Sequence, residues 1–432
     1  MEGSTTRVGN NEEHRGCLVI DVATELSRTE PPVTTQYSCI YRVPPHIRKV
    51  NDEAYTPKVI SIGPFHFGIE RMQFMERHKL RYLKSFLERA HQKSFQDWLA
   101  YVKNLNPSVR SYYANIIKLN DDHLAKLILI DAGFILEILL RYYFNDKWTA
   151  EDETLLKPWL STTVRVDLLL LENQLPFVVL QKIFTEAFPS GQNDNGFPSL
   201  LQLSFKYFAY YNNQGLGASA DVSIHHFTDM LRIFHLPARL PDRADKDDKS
   251  EIHLHTATEL VEAGLKLRAD NPKKCLFDLR YSKGVLKIPS FKVDGHTEIL
   301  FRNLLALEQC HYPYEAFVTD YIRILEFLID TGKDVDLLIK NGIMANWLGD
   351  NNAVADLFNS LWKNITQVNF NTEYLNLYKD LKVFHNDPVN SWRASLTRDY
   401  CRTPCQTAAT FAAILLLVLT TAQTVFSILS EV

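Results

Sequence analysis

The C-terminal stretch limits what this chain can fold into more than any other part of it. From Thr403 to Ser430 there is no charged side chain, and Ala408–Leu429 reads AATFAAILLLVLTTAQTVFSIL. As an α-helix these 22 residues would extend about 33 Å, enough to cross a hydrocarbon layer of roughly 30 Å. Thr403 suits a helix N-cap and Pro404 the first helical position. The competing reading is a core helix of a soluble domain, but soluble helices are rarely apolar on every face for this length. Thr420, Thr421, Thr424 and Ser427 can bond their own helix carbonyls, whereas Gln423 calls for a partner helix. The pattern predicts one transmembrane helix over 404–429.

Its flanks predict an orientation. Arg393, Arg398 and Arg402 precede the stretch, and only Glu431 and the terminal carboxylate follow it. The positive-inside rule then puts the globular body in the cytosol. The opening MEGSTTRVGNNEEHRG is polar and charged, unlike a secretory signal, so the expectation is a tail-anchored, single-pass protein. Whether it sits in the plasma membrane or an endomembrane stays open. Residues 1–36 read as a flexible leader with one apolar patch, Leu18–Val22. Cys401 and Cys405 stand at the predicted boundary, where palmitoylation and a pair of unmodified thiols are equal alternatives. Asn364-Ile365-Thr366 is a glycosylation triplet that matters only if the body is lumenal.

Between 70 and 400 the apolar spacing is helical. Met72–Ala90 places Met72, Met75, Leu80, Leu83, Phe86 and Leu87 on one face, with basic residues opposite. Asp121-Asp122 can cap a helix so apolar (Leu124 to Leu139) that it should be central. Val166–Phe188 is similar, interrupted by Pro176. PARLPDRADKDDKS (237–250) reads as an exposed linker. Helix is expected to resume over 256–267, and short runs flanking Ser282-Lys283-Gly284 predict a β-hairpin. Further helices are expected over 297–310, 314–331, 334–347 and 351–366, the last capped near Asp350. The fold class predicted is mainly α: a multi-helix globular body over 37–400 with a small hairpin, followed by the transmembrane helix.

Charge and cysteine usage restrict function. Forty-seven basic against 51 acidic side chains give a net charge of −4, without the basic excess that a nucleic-acid binder needs. Six cysteines in 432 residues cannot form a disulfide framework. No phosphate loop, zinc helix, nucleophile elbow or CxxC pair occurs, so no cofactor, metal or catalytic residue is expected. His225-His226 and the pair His253 and His255 lack a matching third ligand and read as surface histidines.

The more informative residues are carboxylates and amides inside apolar runs. Asp131 and Glu137 lie in LILIDAGFILEILL, Asp167 and Glu172 in VDLLLLENQLPFVVL, and Glu308 in FRNLLALEQCHY. A buried carboxylate is costly unless paired, so each demands a cation or donor nearby in space. Arg141 and Arg302 could supply charge, and Asn173, Gln174, Asn303 and Gln309 amides, making a structural polar network the favoured reading. A dyad with one raised pKa would instead do acid–base work. Pro176 frees the Glu172 carbonyl and removes a helix donor, a gap that Asn173 or Gln174 could fill.

Several segments together resemble the plant DUF247 family, also called UPF0481. They are IYRVP at 40–44, YTPKVISIGPFHFG at 55–68, MERHK at 75–79, DAGFILE at 131–137, DLLLLENQLPF at 167–177, GVLKIP at 284–289, FRNLLALEQ at 301–309 and the closing apolar helix. Cys405 stands where many members carry Trp. The resemblance implies a plant protein with a mostly helical body and a C-terminal anchor, and brings no mechanism. Some members are associated with self-incompatibility in grasses, which implies a recognition role.

The opening motif has its own physical reading. Pro44, Pro45, Pro57 and Pro64 stiffen an extended segment that could wrap the body or line a groove. His66, Glu76 and His78 are its candidate binding residues. The expectation is a membrane-anchored, non-enzymatic module for a protein or peptide partner or for signalling. The alternatives are a cell-surface recognition protein, or an enzyme using buried carboxylates.

Overall fold

A computed structural model describes residues 37–90, 93–145, 157–189, 197–219, 222–244, 254–271, 275–390, 392 and 404–430. The leader at 1–36 and the flank Arg393–Thr403 lie outside these residues.

The N-terminal half is built on α1 (Gln73–Ala90), α2 (Phe95–Tyr112) and α3 (Asp121–Phe144). As the sequence predicts, α3 is central: from Leu124 to Arg141 nearly every side chain is buried. Its N-cap is Asn120, whose side chain accepts from the His123 amide; Asp121 and Asp122 sit in the first turn, where they complement the helix dipole. On α1 the face is rotated from the expected one. Leu80 is exposed and Lys79 is buried, because Lys79 faces a carboxylate on α3.

The apolar run 158–188 is not one broken helix. α4 (Pro158–Asp167) ends, residues 168–176 turn, and α5 (Phe177–Ala187) begins directly after Pro176. Glu172 therefore lies in a buried turn rather than in a helix. Next come α6 (Leu200–Tyr207) and α7 (Phe227–His235). Of the expected linker 237–250, residues 238–240 and 242 are exposed, residues 243 and 244 are tied to the body, and 245–250 lie outside the described residues. The Ala244 amide donates to Phe370 O at 2.8 Å, and Arg243 pairs with Asp320 at 2.5 Å.

The C-terminal half alternates helices with two small sheets. α8 is only Ala257–Glu262, and β1 (Lys266–Asp270) follows where helix was expected. β2 (Arg280–Ser282) and β3 (Val285–Pro289) form the predicted hairpin through Lys283 (φ 49°) and Gly284 (φ 75°), and β1 adds parallel to β3. β4 (Phe291–Val293), α9 (Thr297–His311), α10 (Phe317–Leu328) and α11 (Gly332–Lys340) succeed it. α11 ends before 347 because β5 (Met344–Asn346) pairs parallel to β4. α12 (Asn351–Leu361) is capped by Asp350 as expected, and α13 (Thr372–Asn386) closes the body.

One buried apolar cluster runs from Cys39 to Leu381 and so joins both halves. Each fully buried Leu, Ile or Phe in it contributes roughly 1.5–3 kcal/mol. The last element, α14 (Pro404–Ser430), contains one stretch, Ala408–Ser427, long and apolar enough to cross a membrane, and none of it is buried. A core helix would be covered; this one is not.

Candidate functional site

Most of the buried polar groups converge on residues 37–68, a strap across both halves whose expected extended course is interrupted by short helical turns at Pro45–Arg48 and Asp52–Tyr55. An extended chain leaves its amides and carbonyls unpaired, and burying them unpaired costs about 1–3 kcal/mol each. Side chains from the apolar helices supply the partners. Asp167, at the end of α4, accepts from the amides of Lys58 at 2.9 Å, Val59 at 2.8 Å and Ile60 at 2.9 Å. Asn173 Oδ1 accepts from the Ile62 amide at 2.7 Å, and its Nδ2 donates to Ile60 O and Asp167 O. Asp131 on α3 accepts from the Gly63 amide at 2.8 Å and from Lys79 Nζ at 2.6 Å, while Lys79 also donates to Ser61 O. Asn303 on α9 donates to Ala54 O at 2.8 Å and accepts from the Leu171 amide at 2.9 Å.

Glu172 gathers two arginines and a histidine of the strap. Its Oε1 accepts from the Val43 amide at 2.6 Å. Arg48 lies 2.7 Å and His66 Nε2 3.2 Å from Oε2, both outside good hydrogen-bond alignment, and Arg42 stands 3.8 Å away. Gln174 Nε2 takes the carbonyls of Leu168 and Leu170, rather than the Glu172 carbonyl the sequence pointed to, and its Oε1 accepts from the Phe227 amide opening α7.

Electrostatics follow burial. Desolvation pushes Asp131 up to about 6 against the pull of Lys79 and the Gly63 amide. Asp167 is likewise raised to about 6 by burial, opposed by the amides of Lys58, Ile60 and Val59. For Glu172 burial raises the carboxyl, but His66 and Arg48 outweigh it and hold the group below its ordinary value. Burial and neighbouring charge are the terms at work here, as in any structural ion-pair network.

Other candidates stand apart from this cluster. Glu137 pairs with Arg89 at 2.8 Å and Arg141 at 2.7 Å. Glu308 reaches from α9 to the start of α10, accepting from Arg232 and from the amides of Val318 and Thr319, and so caps that helix from a distance. Arg302 serves Glu298 and Ser360 rather than the other carboxylates. Gln309 exchanges two hydrogen bonds with the Thr366 backbone near the surface. His66, Glu76 and His78 do not converge: His66 is buried beside Glu172, Glu76 pairs with Lys79 at 2.6 Å, and the His78 ring packs edge-on to Phe74.

The surface reading holds for His225, which is exposed, and fails for His226, which is fully buried; His253 lies outside the described residues. The Nδ1 of His226 accepts the Asp229 amide and its Nε2 lies 3.1 Å from Cys39 O. Sequence inspection also missed Lys79, Asp229, Arg232, Arg243 and Asp320, all polar groups of the interior or its edge. Asp320 was the detectable one, since it sits in the apolar run FVTDYIRILEFL like the others. Among the described residues no group of three ligating side chains is placed to hold a metal. A separate open cleft of about 460 Å³ lies between residues 237–241 and the start of α13, lined by Phe277, Phe317, Tyr374, Arg239 and Arg280. Asn364 is exposed and donates its amide to His46 O. Cys401 lies outside the described residues, as does the side chain of Cys405.

A helical body, an N-terminal strap pinned by buried carboxylates and amides, and one exposed apolar C-terminal helix together define the class of protein this is. The chain belongs to the DUF247 family, described as a plant protein of unknown function, whose profile matches residues 40–419. It is similar to a UPF0481 protein of Arabidopsis thaliana, 28% identical over 424 residues that cover 91% of this chain and 86% of the relative. A putative UPF0481 protein of the same plant is 21% identical over 520 residues, covering 97% and 96%. No solved structure matches.

Proposed function

We propose that the protein is a membrane-anchored interaction or signalling module, held by α14 with its body in the cytosol. The observation that carries this reading is the contrast between the two kinds of polar and apolar group. The carboxylates are closed in by their partners and hold the strap, whereas the 20 residues Ala408–Ser427 are wholly uncovered. A helix apolar on every face and uncovered by protein calls for lipid. Arg393, Arg398 and Arg402 before it, against Glu431 after it, favour the cytosolic side for the body. The open cleft with its aromatic walls and two arginines gives an extended peptide somewhere to bind.

The test is protease protection of microsomes carrying the protein tagged at its N-terminus, with glycosidase treatment of the same samples. Digestion of the body in intact vesicles, with no glycan, is the expected result. A protected body with a glycosidase-sensitive Asn364 would reverse the orientation and make the protein a cell-surface recognition molecule. Release of the chain by alkaline carbonate would remove the anchor itself.

A further inference from the structure

Helix α13 packs on the hairpin through Phe384, whose ring lies 6.1 Å from that of Tyr281 and beside Gly284. Its outer side is polar but for Val383, and two more large apolar side chains stand exposed just beyond its end. Val383 is 72% exposed, Val389 48% and Trp392 78%. Scattered single apolar residues are ordinary on a surface; these three lie within ten positions of one another along the chain and end in a Trp. Lys382 stands beside Val383 in the chain, its ammonium at 3.2 Å from Tyr378 Oη and still exposed.

We propose that Val383, Val389 and Trp392, with Lys382, form a docking surface for the anionic headgroup layer of the same bilayer that α14 enters. The inference rests on the reading of α14 as a membrane span. Chain length selects the occupant. Eleven residues, 393–403, separate Trp392 from Pro404, so Trp392 stays within roughly 40 Å of the helix start however the connection runs. A surface tethered that closely meets the bilayer at a far higher effective concentration than any free partner. Charge agrees: the connection itself carries Arg393, Arg398 and Arg402 against one acidic residue, Asp399. Asp380 and Asp387 oppose this on the helix itself, so the attraction is of modest size. Trp suits the headgroup level, where its ring is buried and its N–H stays wet.

The experiment uses the full chain reconstituted into vesicles of phosphatidylcholine alone or with phosphatidylserine, each containing brominated lipid. Trp392 emission is isolated as the difference between the wild type and Trp392→Phe. Leu416→Trp reports α14 separately. The expected result is quenching of Leu416→Trp by bromines deep in the chains and of Trp392 by shallow ones. Phosphatidylserine should strengthen the Trp392 quenching, and Lys382→Gln should weaken its docked-to-undocked ratio about fivefold. If Leu416→Trp is quenched and Trp392 is not, the docking surface is overturned while the anchor stands. Trp392 shielded from aqueous iodide yet unquenched by lipid would mean that protein covers it, and equally overturns the proposal. Quenching indifferent to phosphatidylserine and to Lys382→Gln overturns the anionic headgroup as the occupant. If Leu416→Trp is itself unquenched, the anchor fails and the docking surface with it.

Discussion

Lys79 Nζ lies 2.6 Å from Asp131 Oδ1, and neither side chain reaches solvent. The pair joins α1 to α3, and through the Ser61 carbonyl and the Gly63 amide each partner also holds the strap. Removing one member of a buried pair strands the other's charge, which costs about 3–5 kcal/mol, whereas removing both costs much less. Lys79→Met is therefore expected to lower stability by about that amount, and Lys79→Met with Asp131→Leu by clearly less than the two single changes summed. Urea unfolding of the detergent-solubilised chain, read as a double-mutant cycle, checks this.

Gly63 meets the same latch from the backbone. Its φ is +70°, and a Cβ there would stand 2.7 Å from Gln174 O and 2.8 Å from Tyr113 Oη. The left-handed conformation alone costs a side chain roughly 1–2 kcal/mol, and the contacts add to it. Gly63→Ala is expected to free the strap locally: hydrogen exchange at Ile60, Ile62 and Gly63 amides should accelerate, with α2 and α3 less affected. Uniform acceleration through α3 would mean that the strap is no separable unit.

Asp167 is the test of what holds the strap without a countercharge. Three amides share its two oxygens, so Asp167→Asn substitutes an NH₂ donor for an acceptor and leaves at least one of them facing another donor. The expected loss is about 1–3 kcal/mol, seen as a lower unfolding midpoint, with exchange at Lys58, Val59 and Ile60 rising first. Unchanged exchange at those three amides would contradict the latch.

How much of this was readable from the sequence depends on where each group's partner lies. Asp131, Asp167 and Glu172 announce themselves because a carboxylate inside an apolar run must be paired. Their partners do not, since they are backbone amides of a strap 68 to 129 residues away that any residue type could supply. Lys79 hides among the exposed bases of RHKLRYLK, where spacing alone predicts a solvated face. Many of the helices were legible from their period, but α2, α6, α7 and α13 were not singled out, and neither were β1 and β5. Both continue the chain just after a short helix, and only a pairing partner elsewhere, β3 or β4, turns those residues into strands. The turn at 168–176 was half legible: Pro176 marked a break and Gln174 a donor to fill it, but not that the carbonyls it takes would be those of Leu168 and Leu170.

His226 predicts a pH response. Burial drives it down to about 4 from an ordinary value of 6.5, with Asp229 pulling the other way and His225 and His311 adding to the fall. Its Nδ1 is the acceptor that caps α7, so a proton there displaces the Asp229 amide. A base depressed in the folded state binds fewer protons than the unfolded chain. Its contribution is whole above pH 6.5 and is lost as pH falls toward 4, up to roughly 3 kcal/mol. His226→Asn keeps a capping oxygen and cannot titrate. The stability gap between wild type and His226→Asn should therefore narrow between pH 7 and pH 4, measured by urea unfolding across that range. A gap independent of pH would mean that His226 is not held neutral.

The anchor makes the last prediction, and it separates lipid from protein as the surroundings of α14. Leu416 lies near the middle of Ala408–Ser427 and is 65% exposed, with no body side chain covering it. In water such a position accepts an arginine with little change, because the charge stays solvated. At the centre of a bilayer the same arginine costs about 2.5–3.5 kcal/mol of insertion free energy. Leu416→Arg should therefore move a large share of the chain from the carbonate-resistant membrane fraction to the soluble or aggregated one, while Val383→Asp leaves the distribution almost unchanged. The control matters because a surface that only touches the headgroups cannot hold the chain against carbonate, whereas a span can. If Leu416→Arg stays fully membrane-bound, α14 does not cross the hydrocarbon layer, and the body is held by something other than this helix.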